Sequence, residues 1–85
     1  MEEVGMKVSR LYRVSGSEKL KGFADLAING NFIVKGLRIV QGKNGLFVGM
    51  PRQQGKDGKW YNIAYPVTKE LQQQINELVL EAYEE

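Results

Sequence analysis

The residue types that most often carry out chemistry in proteins are scarce in this sequence. It contains no histidine and no cysteine, so the usual general base, the thiol nucleophile and the commonest transition-metal ligands are missing. Between the two acidic ends, the carboxylates are Glu18, Asp25 and Asp57. Asp25 lies within a predicted strand and Asp57 begins an Asp-Gly turn signal, so both are expected to have structural roles. The sequence therefore predicts a binding protein and not an enzyme, with no metal site and no cofactor.

Two segments that combine glycine with lysine invite comparison with phosphate-binding loops. They are residues 42–45 (GKNG) and 55–59 (GKDGK). Neither matches a nucleotide-binding fingerprint in spacing or in context, and both are typical of β-turns. We therefore expect no small-molecule substrate.

Charge is segregated along the chain. The net charge is only +2, but all 12 lysines and arginines lie within residues 4–69, together with three acids. Residues 70–85 contain five acids and no base. This segregation favours a surface for an anionic partner, and the plainer alternative is a set of solvated lysines on a small basic domain. Basic and aromatic residues near predicted loops and sheet edges could grip phosphates and stack on bases: Arg10, Tyr12, Arg13, Lys43, Arg52, Lys56, Lys59, Trp60 and Tyr61.

The elements that position these residues follow from hydrophobic periodicity. The sequence predicts strands at about 7–14, 22–28, 32–40, 46–50 and 59–64. In the first strand Val8, Tyr12 and Val14 are expected to share one face. The third strand is apolar on both faces and should be central, with Gly36 marking a bulge or a bend. The continuous apolar run 46–50 is typical of a buried strand.

The connections carry their own signals. Asn29-Gly30 between the second and third strands predicts a hairpin with a type I′ turn, because both residues tolerate positive φ angles. Residues 15–21 are predicted as a turn and residues 52–59 as a polar loop. Trp60 and Tyr61 alternate on the last strand, so one of the two is expected in the core.

The end of the chain, about 69–83, is predicted to be helical. Thr68 is a candidate N-cap, and Glu70 lies in the first turn, where the helix dipole favours a negative charge. Leu80 lies on the side of the helix away from the apolar stripe, either as an exposed leucine or as a subunit contact. The stripe itself consists of Leu71, Ile75, Leu78, Val79 and Ala82. Strand runs followed by one helix predict a single α+β domain over residues 1–85, a mostly antiparallel sheet of about five short strands with the helix on one face.

A chain of 85 residues builds one modest core, worth roughly 3–5 kcal/mol of net stability unless something reinforces it. Without cysteine, disulfides and thiolate metal sites are excluded, so oligomerisation is the remaining common reinforcement. The N-terminus, MEEVGMKV, has neither the basic region nor the apolar run of a signal peptide, and the uncharged stretches are too short to span a membrane. We therefore expect a soluble, cytoplasmic protein without a membrane partner.

Residues 32–51, FIVKGLRIVQGKNGLFVGMP, closely resemble the SpoVG family, the stage V sporulation (septation) protein G proteins of bacteria. The similarity includes NGLFV at 44–48, Met50-Pro51, Asp57-Gly58 and IAYPV at 63–67, and it extends from about Met6 to Tyr83. The resemblance implies a dimeric α+β fold whose sheets pair across the subunit interface. It also implies a regulator, linked to septation and sporulation, that binds DNA, with RNA as a further candidate ligand.

Two positions depart from the family pattern. Members typically carry Ser-Lys-Arg directly after Met-Pro, whereas this chain has Arg52-Gln53-Gln54, and the family's usual histidine before the proline is Tyr65 here. The first departure leaves one arginine where the family has a basic pair. The expected nucleic-acid contacts are Arg52, Lys56 and Lys59, together with Lys43 and Lys69.

A protein-interaction adaptor of the cell-division or envelope machinery is the alternative function. It would use the acidic face of the helix and Leu80 as its contact surface, without binding nucleic acid.

Overall fold

The computed structural model describes residues 5–16 and 18–85, and within them the chain forms six strands and one helix. They are β1 (Met6–Arg13), β2 (Leu20–Ile28), β3 (Phe32–Gly42), β4 (Gly45–Gly49), β5 (Arg52–Gln54), β6 (Trp60–Asn62) and α1 (Lys69–Glu84). The first four strands form an antiparallel sheet in the order β1-β2-β3-β4, and β5 pairs with β6 in a separate hairpin. This confirms the predicted α+β fold with a C-terminal helix and the central position of β3.

The predicted strand boundaries are wrong after Pro51, where β5 is not predicted and β6 ends at Asn62 instead of at about residue 64. The sequence predicts a polar loop at residues 52–54, but these residues form β5. The strands therefore form two sheets instead of the single sheet predicted. The predicted turn at 15–21 includes residue 17, which lies outside the described residues.

The turn between β2 and β3 follows its sequence signal. Asn29 and Gly30 have φ angles of 53° and 71°, and the amide of Asn31 donates to the carbonyl of Ile28 at 3.2 Å. Positive φ at both central residues is the mark of a type I′ turn, whose twist matches that of the strands it joins. The predicted hairpin is confirmed.

A bulge interrupts the pairing of β2 with β3. Ala24 lies opposite Leu37 and Leu26 lies opposite Val34, so two residues of β3 face the single residue between them on β2. The bulge contains Gly36, whose φ of 88° is strained for any residue with a side chain. The bulge predicted at Gly36 is confirmed.

A second bulge, in β1, changes which residues face the core. Val8 pairs with Leu26 but Arg10 already pairs with Asp25, so the alternation shifts by one residue. After the bulge Leu11 faces inward and Tyr12 outward. The prediction that Val8 and Tyr12 share a face is therefore wrong, because a periodicity of two fails across an inserted residue.

The core lies between α1 and one face of the four-stranded sheet. Its buried residues come from β2, β3, β4 and α1: Ala24, Leu26, Leu37, Ile39, Val48, Ile75 and Val79. The opposite face, which we call the open face, carries the residues that alternate with these along each strand. Only one face of β4 is covered: Val48 is buried, but Phe47 on the open face is exposed, which corrects the prediction of a buried strand at 46–50.

The helix lies closest to β1 and β4, the two edges of the sheet. Side chains on both flanks of the helix can therefore meet apolar neighbours. For this reason Leu80, predicted to lie away from the core, packs against it and is half-buried. The predicted stripe is otherwise confirmed, with Ile75 and Val79 buried at its centre and Leu71 and Leu78 at its margins.

Both ends of α1 are capped. The hydroxyl of Thr68 accepts a hydrogen bond from the amide of Leu71 at 3.2 Å, as predicted for the N-cap. The last turn contains no basic residue, and Arg13 of β1 supplies the missing charge: its Nη2 donates to the carbonyls of Tyr83 at 2.6 Å and Glu85 at 3.1 Å. Arg13 therefore has a structural role.

Candidate nucleic-acid interface

The β5–β6 hairpin holds three of the predicted contact residues. Arg52 pairs with Asn62 and Gln54 pairs with Trp60 across the two strands. Because side chains alternate along a strand, Arg52 and Trp60 lie on the same face of the hairpin, and Tyr61 lies on the other. The guanidinium of Arg52 stands 5.1 Å from the centroid of the Trp60 ring, a cation–π contact that orients the arginine.

Neither aromatic residue of β6 is in the core. Trp60 is 57% exposed and Tyr61 is 51% exposed. The prediction that one of them is buried is wrong. It assumes that their strand belongs to the main sheet, one face of which is covered, but in the described part of the chain β6 pairs only with β5. All six residues of β5 and β6 are exposed, so neither face of the hairpin is buried among the described residues.

Local hydrogen bonds order the turn of the hairpin. The carboxylate of Asp57 accepts bonds from the hydroxyl of Tyr61 and, at 3.0 Å, from the amide of Lys59. The bond from Tyr61, followed by that from the Lys59 amide, lowers the pKa of Asp57, and the same bond to Asp57 raises the pKa of Tyr61. Nε2 of Gln54 donates to the carbonyl of Gly58 at 3.0 Å.

The consequence is a basic turn whose one acid is already engaged. Lys56 and Lys59 are exposed on either side of Asp57, and the carboxylate between them is held by Tyr61. With Arg52, the two lysines outnumber the one carboxylate, so the hairpin carries net positive charge that can act on an external anion.

The structure brings some of the predicted contact residues together and leaves others apart. Arg52, Lys56 and Lys59 lie on the same hairpin. Lys43 lies in the turn between β3 and β4, and Lys69 is the first residue of α1. These two belong to separate elements, and their contact role stays a prediction.

Sequence reasoning missed Arg38, which lies next to this hairpin. Arg38 pairs with Gly49 across β3 and β4, and a Cβ atom added to Gly49 would collide with its Nη2, so the guanidinium covers the glycine. Loss of hydration lowers the pKa of Arg38, and the nearby positive charge of Arg52 lowers it further. Nε of Arg38 is buried and has no hydrogen-bond partner among residues 5–16 and 18–85.

A sequence signal for Arg38 did exist. It stands between Leu37 and Ile39, both fully buried, so strand alternation places it on the opposite, open face. The positive charges of Arg38 and Arg52 repel each other, and a bound anion would relieve that repulsion.

No cluster of three or more histidine, cysteine, aspartate or glutamate side chains suited to a metal ion occurs in the described part of the chain. Within the same residues, no helix combines the length and the apolar character needed to cross a membrane.

Comparison with known proteins decides the family. The SpoVG family model matches residues 1–85. The chain belongs to the SpoVG family. The resemblance carried by residues 32–51 and 63–67 is therefore confirmed.

Several SpoVG relatives match over most of their length. A protein of Archaeoglobus fulgidus named "Putative septation protein SpoVG" is 38% identical over 76 residues, which cover 89% of each chain. The protein of the same name from Treponema denticola is 36% identical over 75 residues, 88% of this chain and 81% of its own. A "Putative septation protein SpoVG 2" of Listeria monocytogenes is 37% identical over 75 residues, 88% of this chain and 74% of its own.

The departure from the SpoVG pattern after Pro51 falls within β5. Gln54 holds the turn through its bond to Gly58, and Gln53 pairs with Tyr61. In this SpoVG chain the two glutamines thus contribute to the hairpin, and the charge is carried by Arg52, Lys56 and Lys59.

Proposed function

We propose that this SpoVG protein is a cytoplasmic, homodimeric regulator that binds nucleic acid, DNA first and RNA as a second ligand, in the control of septation or sporulation. It acts by binding and not by catalysis. The names of its relatives support the link to septation. The observation that carries the proposal is the β5–β6 hairpin, where three basic side chains accompany a single acid that Tyr61 already engages.

The chemistry of the hairpin suits a phosphodiester backbone. Lysine acts as a mobile point charge, so Lys56 and Lys59 suit contacts that do not depend on base sequence. The planar guanidinium of an arginine can bind a phosphate or read a guanine through two hydrogen bonds. The Trp60 ring orients the guanidinium of Arg52. The hairpin can therefore supply both attraction and orientation.

The test is a titration of a fluorescent mixed-sequence DNA with wild-type protein and single-charge variants. Lys56→Ala and Lys59→Ala should each weaken binding to every sequence by a similar factor. Lys19→Ala is the matched control, since Lys19 is exposed and precedes β2, outside the hairpin. Arg52→Lys keeps the charge and removes the fork: a lost sequence preference would indicate base readout, and an equal loss on all sequences a backbone grip.

Two results would contradict the proposal. If the wild-type protein retards neither DNA nor RNA at low salt, the nucleic-acid function is wrong. If Lys19→Ala weakens binding as much as Lys56→Ala and Lys59→Ala do, the attraction is spread over the whole basic body and the hairpin is not the site.

The homodimer has separate support in the segment that joins the hairpin to α1. Ile63, Tyr65 and Val67 are 64%, 61% and 86% exposed. Exposed apolar side chains concentrated in a short segment of a small protein are typical of a protein–protein contact.

Sedimentation equilibrium tests the dimer. At micromolar concentration the protein should have twice the chain mass of 9.6 kDa. Val67→Glu should shift it toward the monomer, whereas Glu77→Gln on the exposed side of α1 should not. A stable, folded monomer for the wild-type chain would refute the dimer.

A further inference from the structure

The open face of the four-stranded sheet carries a row of side chains that crosses every strand. Tyr12 of β1 pairs with Phe23 of β2, Phe23 pairs with Arg38 of β3, and Arg38 pairs with Gly49 of β4. Directly paired residues of an antiparallel sheet point to the same side, about 4.5–5.5 Å apart. Their neighbours Ala24 and Leu37 are fully buried, so the row itself points away from the core.

The two aromatic residues of this row are accessible. Tyr12 is 50% exposed and Phe23 is 36% exposed. The hydroxyl of Tyr12 accepts a hydrogen bond from Nη1 of Arg10 at 3.1 Å, which fixes the position of the ring. Adjacent strands therefore present two rings side by side.

Charge on this surface favours a polyanion. Arg38 continues the row as far as Gly49 at the end of β4, and Arg52 begins β5 three residues later, where its positive charge acts on Arg38. The acid on this part of the sheet is Asp25, which is buried and lies opposite Arg10. The surface thus runs from Tyr12 and Phe23 through two arginines to the basic hairpin.

We propose that the open face is a stacking platform for single-stranded nucleic acid, with bases on Tyr12 and Phe23 and phosphates on Arg38 and Arg52. This inference rests on the proposed nucleic-acid function and adds the strand state of the ligand and the rings that read it. Exposed rings on a sheet stack only on bases whose faces are free, and the faces of bases in a duplex are covered by their neighbours. Single strands therefore bind more tightly than a duplex of the same sequence.

The test compares one labelled mixed-sequence oligonucleotide, as a single strand and annealed to its complement. Wild-type protein should bind the single strand more tightly. Tyr12→Leu and Phe23→Leu should each weaken single-strand binding by about 5- to 150-fold and duplex binding much less. Tyr12→Phe keeps the ring but loses the bond to Arg10, and it should retain most of the affinity.

Phe32→Leu is the matched control. Phe32 is also an exposed aromatic residue, but it pairs with Ile28. The adjacent pair, Ala27 and Ile33, lies on the open face, so strand alternation places Phe32 on the opposite face. Its replacement should leave both affinities unchanged. Arg38→Lys keeps the charge, and it should weaken the single strand because the fork is lost.

The outcomes separate this inference from the proposed function. Binding to neither form refutes the proposed function itself. Equal or tighter binding of the duplex, or single-strand affinity that Tyr12→Leu and Phe23→Leu leave at the wild-type level, refutes the platform and leaves the hairpin proposal standing. A change of oligomeric mass in Phe23→Leu would show that a second copy of the chain occupies the open face, which also refutes the platform.

Discussion

The sheet-and-helix region and the β5–β6 hairpin both contain large apolar side chains, but the first region buries them and the hairpin exposes them. In the first, apolar side chains from β2, β3, β4 and α1 meet in one buried cluster, and Leu37, Ile39 and Val79 are fully enclosed. In the hairpin, β5 and β6 contact mainly each other, and the rings of β6 are exposed. Stability therefore resides in the first region, while the second is free to present charge and rings to a partner.

The largest expected effect breaks the first region. Ile75→Ala removes a buried side chain from the centre of the helix stripe and should lower the free energy of unfolding by about 2–5 kcal/mol. Leu78→Ala, at the half-buried margin, should fall at the lower end of that range. Gln54→Ala in the hairpin, which loses one exposed hydrogen bond, should change it by less than about 0.5 kcal/mol. Urea denaturation measures all three, and an equal cost for Gln54→Ala and Ile75→Ala would show that the hairpin belongs to the core.

Intermediate effects are expected where α1 joins the sheet. Thr68→Ala removes the N-cap acceptor and should cost about 1 kcal/mol, whereas Thr68→Ser should restore it. Arg13→Ala removes the charge and two hydrogen bonds at the C-terminal end, and we expect a similar loss of about 1 kcal/mol. Thermal unfolding provides the measurement. If neither substitution lowers the midpoint, packing alone holds the helix.

The smallest effect on stability concerns the hairpin turn and its pH dependence. Because the pKa of Asp57 is lowered in the folded chain, the stabilising bond is fully present above the aspartate's ordinary pKa and is lost as pH falls through the lowered value. A carboxyl NMR titration should place the Asp57 midpoint below that of an unpaired aspartate. Tyr61→Phe should move the midpoint upward and speed amide exchange in β5 and β6 while leaving global unfolding nearly unchanged. A midpoint that Tyr61→Phe leaves in place would mean that Tyr61 does not hold Asp57.

The sequence predicted those features that depend on local signals. Asn29-Gly30, the bulge at Gly36 and the Thr68 cap each involve a few adjacent residues, and all three are confirmed. The β1 bulge was not predictable, because the inserted residue is an ordinary Ser or Arg without a glycine to mark it. Tyr12 was therefore assigned to the wrong face.

Errors elsewhere came from long-range geometry. The partial burial of Leu80 depends on which strands α1 contacts, and helical periodicity does not encode that. The exposure of Trp60 and Tyr61 depends on the hairpin standing apart from the main sheet. The structure places Arg52, Lys56 and Lys59 on one hairpin, and their contact role stays a prediction. Strand alternation alone puts Arg38 on the open face, but its contact with Gly49 depends on the pairing of β3 with β4.

The most direct test of the central claim is the salt dependence of nucleic-acid affinity in the variant Arg52→Ala/Lys56→Ala/Lys59→Ala. Each phosphate contact releases counterions, so wild-type affinity should fall steeply with salt. If these three side chains meet phosphates, the variant should bind more weakly, and its slope of log affinity against log salt should be shallower by roughly two to three per engaged chain. Wild-type affinity with an unchanged slope would contradict the assignment of the hairpin as the nucleic-acid site.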